Sequence, residues 1–147
     1  MDSIARHHSI RLPMAADAAL PLFTPLGERE WIAEWDPVFL YPEDGHTCEG
    51  MAFETVHGGV HAIWTCARWQ PDRHAAKYVR VAPGSHLAVI DVACAAMGDA
   101  ETEVSVAYRL TALSAAGDRY LAEITEAAFA QMIGGWRALL ATRYGFG

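Results

Sequence analysis

The sequence is poor in lysine and has no concentrated positive charge. Lys77 is its only lysine, and ten arginines are scattered along 147 residues, so the formal net charge is −7. A nucleic-acid groove needs basic side chains clustered on one face, and an anionic membrane surface attracts the same kind of cluster. The composition therefore predicts no nucleic-acid partner and no membrane partner.

Long apolar runs are missing too. No run reaches the roughly 18 residues needed to span a bilayer, and residues 1–8 contain no apolar stretch of signal-peptide length. These absences predict a cytoplasmic protein. The three cysteines, Cys48, Cys66 and Cys94, are odd in number and widely spaced, so we expect thiols rather than a disulfide framework.

Several motifs that carry chemistry are absent. The sequence has no nucleophile elbow, no Gly-rich phosphate loop and no Cys-x-x-Cys pair, which disfavours nucleotide and dinucleotide chemistry. His57 and His61 flank a Gly-Gly turn, but a metal there would need further ligands such as Glu54 or Cys48. We therefore predict no cofactor and no metal site, and the catalytic residues stay unknown.

The residues that are present predict one folded domain covering 1–147. Hydrophobic residues make up 52% of the chain and charged residues 20%. A chain of this length and composition can bury a real core, and long disordered segments are not expected.

The last long segment, residues 118–144, has the pattern of an amphipathic helix. Its apolar residues recur at spacings of three and four, which stacks them on one face. Helical stepping places Thr125, Met132 and Trp136 near the middle of that face. The apolar positions are Leu121, Ile124, Ala128, Phe129, Met132, Trp136, Leu139 and Leu140.

A pair of glycines, Gly134 and Gly135, lies inside this helix. Each costs about 1 kcal/mol relative to alanine at such a position. Gly135 falls at the edge of the apolar stripe, so we interpret it as allowing a close approach of the sheet or a ligand.

The rest of the chain reads mainly as strands. A first strand covers 4–12, and two short helices follow at 15–23 and 25–31, the second with Thr24 as its N-cap and Pro25 at its first position. Strand patterns then cover 38–41, 51–56, 60–69, 75–81, 86–96 and 102–113. Short turns between them predict an antiparallel meander, which twists and curls. The long helix is its most economical cover.

Two strings and the order of elements resemble the START-like superfamily, also called SRPBCC or helix-grip. The first string is LFTPLGEREW at 22–31 with EWDP at 34–37, and the second is YRLTALS at 108–114 before the aromatic-rich helix. The resemblance implies an α+β helix-grip fold. In it, a curved antiparallel sheet of about seven strands wraps around a long C-terminal helix, and two short helices follow the first strand.

The resemblance also implies an internal pocket for a small, largely apolar molecule. Members of the superfamily include lipid and hormone carriers and polyketide cyclases and aromatases, and they share no catalytic motif that can be carried over. Many large rings in a small domain favour such a cavity, because buried Tyr and Trp need partners for their polar tips. The predicted ligand-binding residues are His8, Trp31, Trp35, Phe39, Phe53, Trp64, Tyr78, Arg80, Asp91, Tyr108, Phe129, Met132 and Trp136.

Two polar members of this set have a specific interpretation. His8 shares the inner face of the first strand with Ile10 and Leu12, so it is a candidate polar anchor or general base. Asp91 lies in an apolar strand whose two faces are both apolar, so its direction is ambiguous. If it is buried, it needs a partner, for which Arg80 or Arg68 is the candidate.

Three functions follow from these residues. The first is binding of a small hydrophobic or aromatic molecule between the sheet and the C-terminal helix. The second is a polyketide cyclase- or aromatase-like enzyme that uses pocket His, Tyr or Asp side chains as acid–base groups. The third is a non-catalytic protein that dimerises through a sheet edge or exposed aromatics. A protonatable side chain inside a roomy cavity favours the enzyme.

Overall fold

The computed structural model describes residues 1–147 and contains one seven-stranded antiparallel sheet. The strands are β1 (Ser3–Leu12), β2 (Val38–Tyr41), β3 (Ala52–His57), β4 (Val60–Gln70), β5 (Ala75–Ala82), β6 (His86–Ala96) and β7 (Thr102–Ala112). Their spatial order is β1-β7-β6-β5-β4-β3-β2. The meander from β2 to β7 is thus sequential, and β1 closes it by pairing with β7. The predicted curved antiparallel sheet is confirmed.

The helices are placed as the helix-grip prediction requires. The short helices α1 (Ala16–Ala19) and α2 (Pro25–Glu28) follow β1, with a 3-10 turn at Leu20–Phe23 between them. Another 3-10 turn, Pro71–Arg73, joins β4 to β5. The C-terminal helices are α3 (Ala115–Glu123) and α4 (Glu126–Tyr144). No helix of this structure combines the length and the apolar character that crossing a membrane requires.

Strand alternation decides which side chains face the helices. In β7, Val104, Val106 and Leu110 are fully buried, whereas Arg109 is exposed. Successive side chains of a strand point to opposite faces, so the even-numbered residues of β5, β6 and β7 line the concave face. That face carries the core and the site described below.

A β-bulge in β4 changes which residues of this strand face the core. The register shifts by one residue between Cys66 and Arg68, so that Cys66 pairs with Tyr78 and Trp69 pairs with Ala76. Without the extra residue, Trp69 would point to the convex face. With it, Trp69 packs partly buried against the core.

The predicted long C-terminal helix is confirmed as α4, but its predicted start near residue 118 is wrong, because the helix is interrupted at Ile124 and Thr125. Thr125 adopts an extended conformation, and its hydroxyl accepts a hydrogen bond from the backbone N–H of Ala128 at 3.1 Å. Threonine is a good N-cap because its oxygen satisfies a backbone donor of the first turn. Thr125 therefore begins α4 instead of lying in the middle of an apolar stripe.

The buried face of α4 is also rotated from the predicted one. Phe129, Ile133 and Leu140 are its fully buried residues, whereas Met132 and Leu139 are 41% and 45% exposed. Because the helix begins at Glu126 and packs over β1, Ile133 faces the core. Part of the surface of Met132 faces an internal cavity.

The segment after β1 is held by side-chain caps. Thr24 is the N-cap of α2, as predicted, because its hydroxyl accepts from the N–H of Gly27 at 3.0 Å. The helix ends at Glu28, earlier than predicted, although the N–H of Ile32 still donates to the carbonyl of Glu28 at 2.9 Å. The indole N–H of Trp35 donates to the carbonyl of Pro25 at 2.9 Å, which fixes the chain after the helix.

The interpretation of Gly135 as a close-approach residue is wrong. A methyl group added at Gly134 or at Gly135 would meet no atom within 4 Å. Both glycines therefore carry the conformational cost of the residue without a packing reason.

Gly134→Ala and Gly135→Ala are each expected to raise the free energy of unfolding by about 1 kcal/mol, because alanine loses less backbone entropy in a helix. Equilibrium urea denaturation measures the change. Gly117→Ala in α3 is the opposite control: its methyl group would collide with the carbonyl oxygen of Ser85, so it should destabilise. A loss of stability in the α4 variants would contradict the assignment of open space.

Candidate functional site

An internal cavity of about 430 Å³ lies between the concave face of the sheet and α4. Nineteen residues line it, and thirteen of them are hydrophobic. They come from the early helical segment, from β3 to β7, and from both C-terminal helices. The lining is Phe23, Glu28, Ile32, Trp35, Thr55, His57, Gly58, Val60, Ala62, Trp64, Tyr78, Arg80, His86, Ile90, Val92, Tyr108, Tyr120, Met132 and Trp136.

A side chamber of about 220 Å³ adjoins this cavity. It shares Arg80, Tyr108, Tyr120 and Met132 with the main cavity, and it extends toward the break between α3 and α4. The residues that it adds are Glu123, Ile124, Ala128 and Phe129.

Seven of the thirteen predicted site residues line the main cavity. These are Trp35, Trp64, Tyr78, Arg80, Tyr108, Met132 and Trp136. Phe129 lines the side chamber, where it meets Tyr108 edge to face at 5.1 Å between ring centroids.

Three predicted rings lie behind the cavity wall and support it. Phe53 stacks on Trp64 with centroids 5.4 Å apart, and Phe39 packs against Phe53 at 6.1 Å. Trp31 contacts Trp136 at 5.9 Å and donates its indole N–H to the carbonyl of Leu22 at 2.8 Å. These rings hold the lining rings in place without facing the cavity.

The two predicted polar residues His8 and Asp91 do not line the cavity. His8 is partly buried on the same side of β1 as Ile10. Asp91 lies on the convex face, where its carboxylate is 3.7 Å from the ammonium of Lys77. The expectation of a pocket role with Arg80 or Arg68 as partner is therefore wrong for Asp91. In β6 the residues that face inward are the even-numbered ones, such as Ile90 and Val92.

Arg80 is the fixed positive charge of the cavity. Its guanidinium lies over the rings of Trp64 and Tyr108, at 5.2 and 5.9 Å from their centroids. One of its N–H groups donates to Nε2 of His86 at 3.2 Å. The arginines that form ion pairs in this structure are Arg11 and Arg143, so Arg80 carries a charge that no protein carboxylate neutralises.

His86 holds Arg80 in position as a neutral imidazole. Because Arg80 donates to Nε2, the ring proton is assigned to Nδ1, which then donates to the hydroxyl of Ser85 at 2.9 Å. Burial lowers the pKa of His86 to about 4, with a further contribution from the charge of Arg80. The ring also stacks on Tyr120 with centroids 4.1 Å apart. His86 therefore stays neutral at pH 7.

Glu28 is the acidic group of the cavity. The residue is partly buried, and part of its surface faces the cavity. Burial raises the pKa of Glu28 to about 8. At neutral pH the side chain is therefore mostly a protonated, uncharged acid.

Two tyrosines on the sheet complete the polar lining. Tyr78 is buried, and its hydroxyl donates to the carbonyl of Phe23 at 3.0 Å. Burial raises the pKa of Tyr78 well above its usual value and the pKa of Tyr108 to about 12. Both rings therefore keep their hydroxyl protons at any physiological pH.

Glu28, His86 and Tyr120 were not among the predicted site residues. For His86 a signal was available, because it shares the parity of Ala88, Ile90 and Val92 in β6. For Glu28 no periodic signal was available, because α2 ends at this residue and the chain that leads to Ile32 and Trp35 is not a regular helix. The position of Tyr120 at the cavity depends on the break before α4, which the sequence pattern did not predict.

A larger groove of about 560 Å³ lies outside this site. It is open to solvent and includes the outward-facing residues Ala5, His7, Asp91, Ala107 and Arg109. Small-molecule sites are enclosed and mostly apolar, so the internal cavity is the better candidate. No three His, Cys, Asp or Glu side chains converge as a metal site would require.

Comparisons with known proteins show which fold this is. No protein-family model matches the chain, and no curated protein matches it. Solved structures do match. Norcoclaurine synthase from Thalictrum flavum, in complex with dopamine and hydroxybenzaldehyde, is 10% identical with a TM-score of 0.67, over 96% of this chain and 88% of that one.

Two aromatase/cyclases are similar to the same extent. The Zhui aromatase/cyclase from a Streptomyces species is 16% identical with a TM-score of 0.69, over 97% of this chain and 94% of that one. The di-domain aromatase/cyclase BexL is 12% identical with a TM-score of 0.71, over 99% of this chain and 47% of that one. The predicted helix-grip fold is thereby confirmed, and at these identities the likeness concerns the fold alone.

Glu28→Gln is expected to stabilise the protein increasingly as the pH rises from 4.5 to 8. The folded state raises the pKa of Glu28 from 4.5 to about 8, so the folded protein binds a proton that the unfolded chain has released, and stability falls across this window. Glutamine does not titrate and removes that loss. The measurement is the difference in Tm between variant and parent at each pH, in which the titration of His86 cancels.

Glu30→Gln is the matched control for this prediction. Glu30 is exposed two residues away and pairs only with Arg143 at 3.2 Å, so its replacement should change Tm little at any pH. A Tm difference for Glu28→Gln that stays constant from pH 4.5 to 8 would show that Glu28 is not buried as an acid.

Proposed function

We propose that the protein binds a small, largely apolar molecule that contains a ring, in the cavity between the sheet and α4. The observation that carries this proposal is the cavity itself: about 430 Å³ of space that the surrounding rings line but do not fill. A packed core rarely leaves voids of this size, because protein interiors are as dense as organic crystals. Largely preformed, mostly apolar cavities with a few polar groups are the usual small-molecule sites.

Affinity in such a site comes mainly from apolar burial. Removing apolar surface from water contributes about 25 cal/mol per Å², from which the cost of association is subtracted. Flat rings such as Trp35, Trp64 and Trp136 favour a planar ligand, which can stack on them or meet them at an edge. Arg80 then fixes the orientation of a ligand oxygen.

Ala62→Phe tests this proposal by filling the cavity. Ala62 is a buried, cavity-lining residue of β4, and a phenyl ring there occupies ligand space. We expect the affinity for aromatic probes to fall at least about tenfold, which corresponds to about 1.4 kcal/mol. Quenching of tryptophan fluorescence measures binding, since three tryptophans line the cavity.

Ile63→Phe is the matched control, because Ile63 is the next residue of the same strand and is 43% exposed. It should leave the affinity unchanged. Equal effects of the two substitutions, or no binding of any aromatic probe to the parent protein, would contradict the proposal. Native mass spectrometry of the purified protein is an independent check for a retained ligand.

A second candidate function is acid–base catalysis on a polyketide-like chain. The observation that favours it is that protonatable and charged groups, Glu28, Arg80 and Tyr108, lie inside the cavity. A cavity of this shape holds a flexible chain near the geometry of ring closure, and positioned acids and bases then move protons. Similar structures carry the names of aromatase/cyclases.

A linear poly-β-ketone thioester tests the enzyme proposal. If the protein is a cyclase, it accelerates the formation of one cyclised product over the spontaneous mixture, and Ala62→Phe loses most of that acceleration. Liquid chromatography with mass spectrometry separates the products. An unchanged product mixture would exclude this candidate while leaving ligand binding in place.

The remaining expectations stay predictions. The edge strand β2 exposes Val38, Leu40 and Tyr41, which is the surface that a dimer through the sheet edge would use. A cytoplasmic location and the lack of a nucleic-acid partner rest on composition alone.

A further inference from the structure

Glu28 is the one carboxyl group that lines the main cavity. Burial is the sole cause of its altered acidity, so no hydrogen bond and no neighbouring cation supports its charge. Buried polar side chains are normally partnered, because an unpartnered one forfeits its interactions with water. The Glu28 side chain forms no hydrogen bond within the protein, and no unpartnered side-chain oxygen of the structure is fully buried, so its carboxyl oxygens remain accessible from the cavity. A polar group left free in this way is available to a ligand.

The other protonatable groups of the cavity do not satisfy Glu28. Tyr78 already donates its hydroxyl proton to the carbonyl of Phe23. On β6, His86 is occupied by Arg80 and Ser85.

The remaining groups belong to four other elements. Tyr108 comes from β7 and packs on Phe129, and Tyr120 comes from α3 and stacks on His86. His57, at the end of β3, is exposed at the rim. Arg80 on β5 lies against Trp64 and Tyr108.

The cavity therefore offers several hydrogen-bond donors to a ligand, among them Arg80 and Glu28 besides the hydroxyls of Tyr108 and Tyr120. Arg80 is a permanent cation with N–H groups left over after its bond to His86. Glu28, as an uncharged acid, supplies an O–H group. A cationic ligand is disfavoured by Arg80, whose charge is not neutralised by any protein carboxylate. A ligand with oxygen acceptors matches both Arg80 and Glu28.

We propose that Glu28, as a protonated carboxylic acid, donates a hydrogen bond to a neutral oxygen of the ligand while Arg80 pairs with an anionic oxygen. The ligand class is then a planar aromatic or polyketide-like organic anion with a second ether, carbonyl or hydroxyl oxygen. This inference rests on the proposed binding function, since it assigns the polar ends of the same cavity.

The test uses matched pairs of methoxy- and ethyl-substituted naphthoates, with the substituent at each of three ring positions. The two members of a pair differ only by an ether oxygen in place of a methylene group, and both keep the carboxylate for Arg80. At pH 6 the parent protein should prefer one methoxy compound about threefold to tenfold, the usual worth of one hydrogen bond. At pH 9, where Glu28 is ionised, the preference should vanish.

Glu28→Gln sharpens the test, because an amide donates a hydrogen bond at every pH. This variant should keep the methoxy preference at both pH values, whereas Glu28→Leu should show none at either. Glu30→Gln should behave as the parent. Arg80→Gln should weaken both members of a pair at least about tenfold, since both lose the partner of their carboxylate.

The outcomes separate this inference from the function on which it rests. Binding of both members with equal affinity at pH 6, abolished by Ala62→Phe, would overturn the role of Glu28 and leave the cavity function intact. A methoxy preference in Glu28→Leu would overturn it as well. No binding of any naphthoate, or binding insensitive to Ala62→Phe, would overturn both.

Discussion

The structure depends on a mismatch between the width of a curved sheet and the width of one helix. Seven antiparallel strands make a concave surface, and α4 covers only part of it, packing mainly over β1. The remaining concave surface faces rings that support one another, such as Phe53 on Trp64 and Trp31 on Trp136. Edge-to-face and stacked arrangements are the favoured geometries of aromatic pairs, so these rings stabilise one another in and behind the cavity wall.

The break between α3 and α4 belongs to the same constraint. One straight helix through residue 124 would have to follow a single direction over a curved surface. Capping by Thr125 ends one helix and starts another, which lets Tyr120 reach His86 while Phe129 reaches Tyr108. The side chamber lies at this junction. A polar cap residue in an otherwise apolar segment thus contributes to the shape of the site.

Much of the fold could be predicted from the sequence because strands and turns carry local signals. Alternation in β7 and the turns at Gly58-Gly59 and Pro83-Gly84 are readable within a few residues. The helix break was not predicted because Thr125 lies at a spacing that fits the apolar face of a continuous helix, and threonine is equally common as an N-cap. Asp91 was misplaced because both faces of β6 are apolar in sequence, and only pairing with β5 beside Lys77 decides its direction.

The candidate site was only half predictable, and the reason is chemical. Aromatic residues of the site are predictable from sequence, since a Trp or Tyr is expected to be largely buried wherever it lies. The position of Glu28 is not evident in this way, because a glutamate in a short helix after a loop usually points to solvent, whereas here it lies at a cavity that the sheet and the C-terminal helices also line. The polar groups that would distinguish one ligand from another are therefore the hardest to predict from a sequence pattern.

For the same reason, the shared fold does not identify the ligand. Proteins with 10% to 16% identity to this chain share its fold, and in this chain the fold leaves a cavity between the sheet and α4. Selection among ligands must then come from the few polar side chains inside. In this chain those are a cation held by a neutral imidazole and an acid without a partner, placed on different elements of the wall. A ligand that satisfies both would carry hydrogen-bond acceptors at two points, whereas an apolar molecule of the same size would leave both donors without a ligand partner.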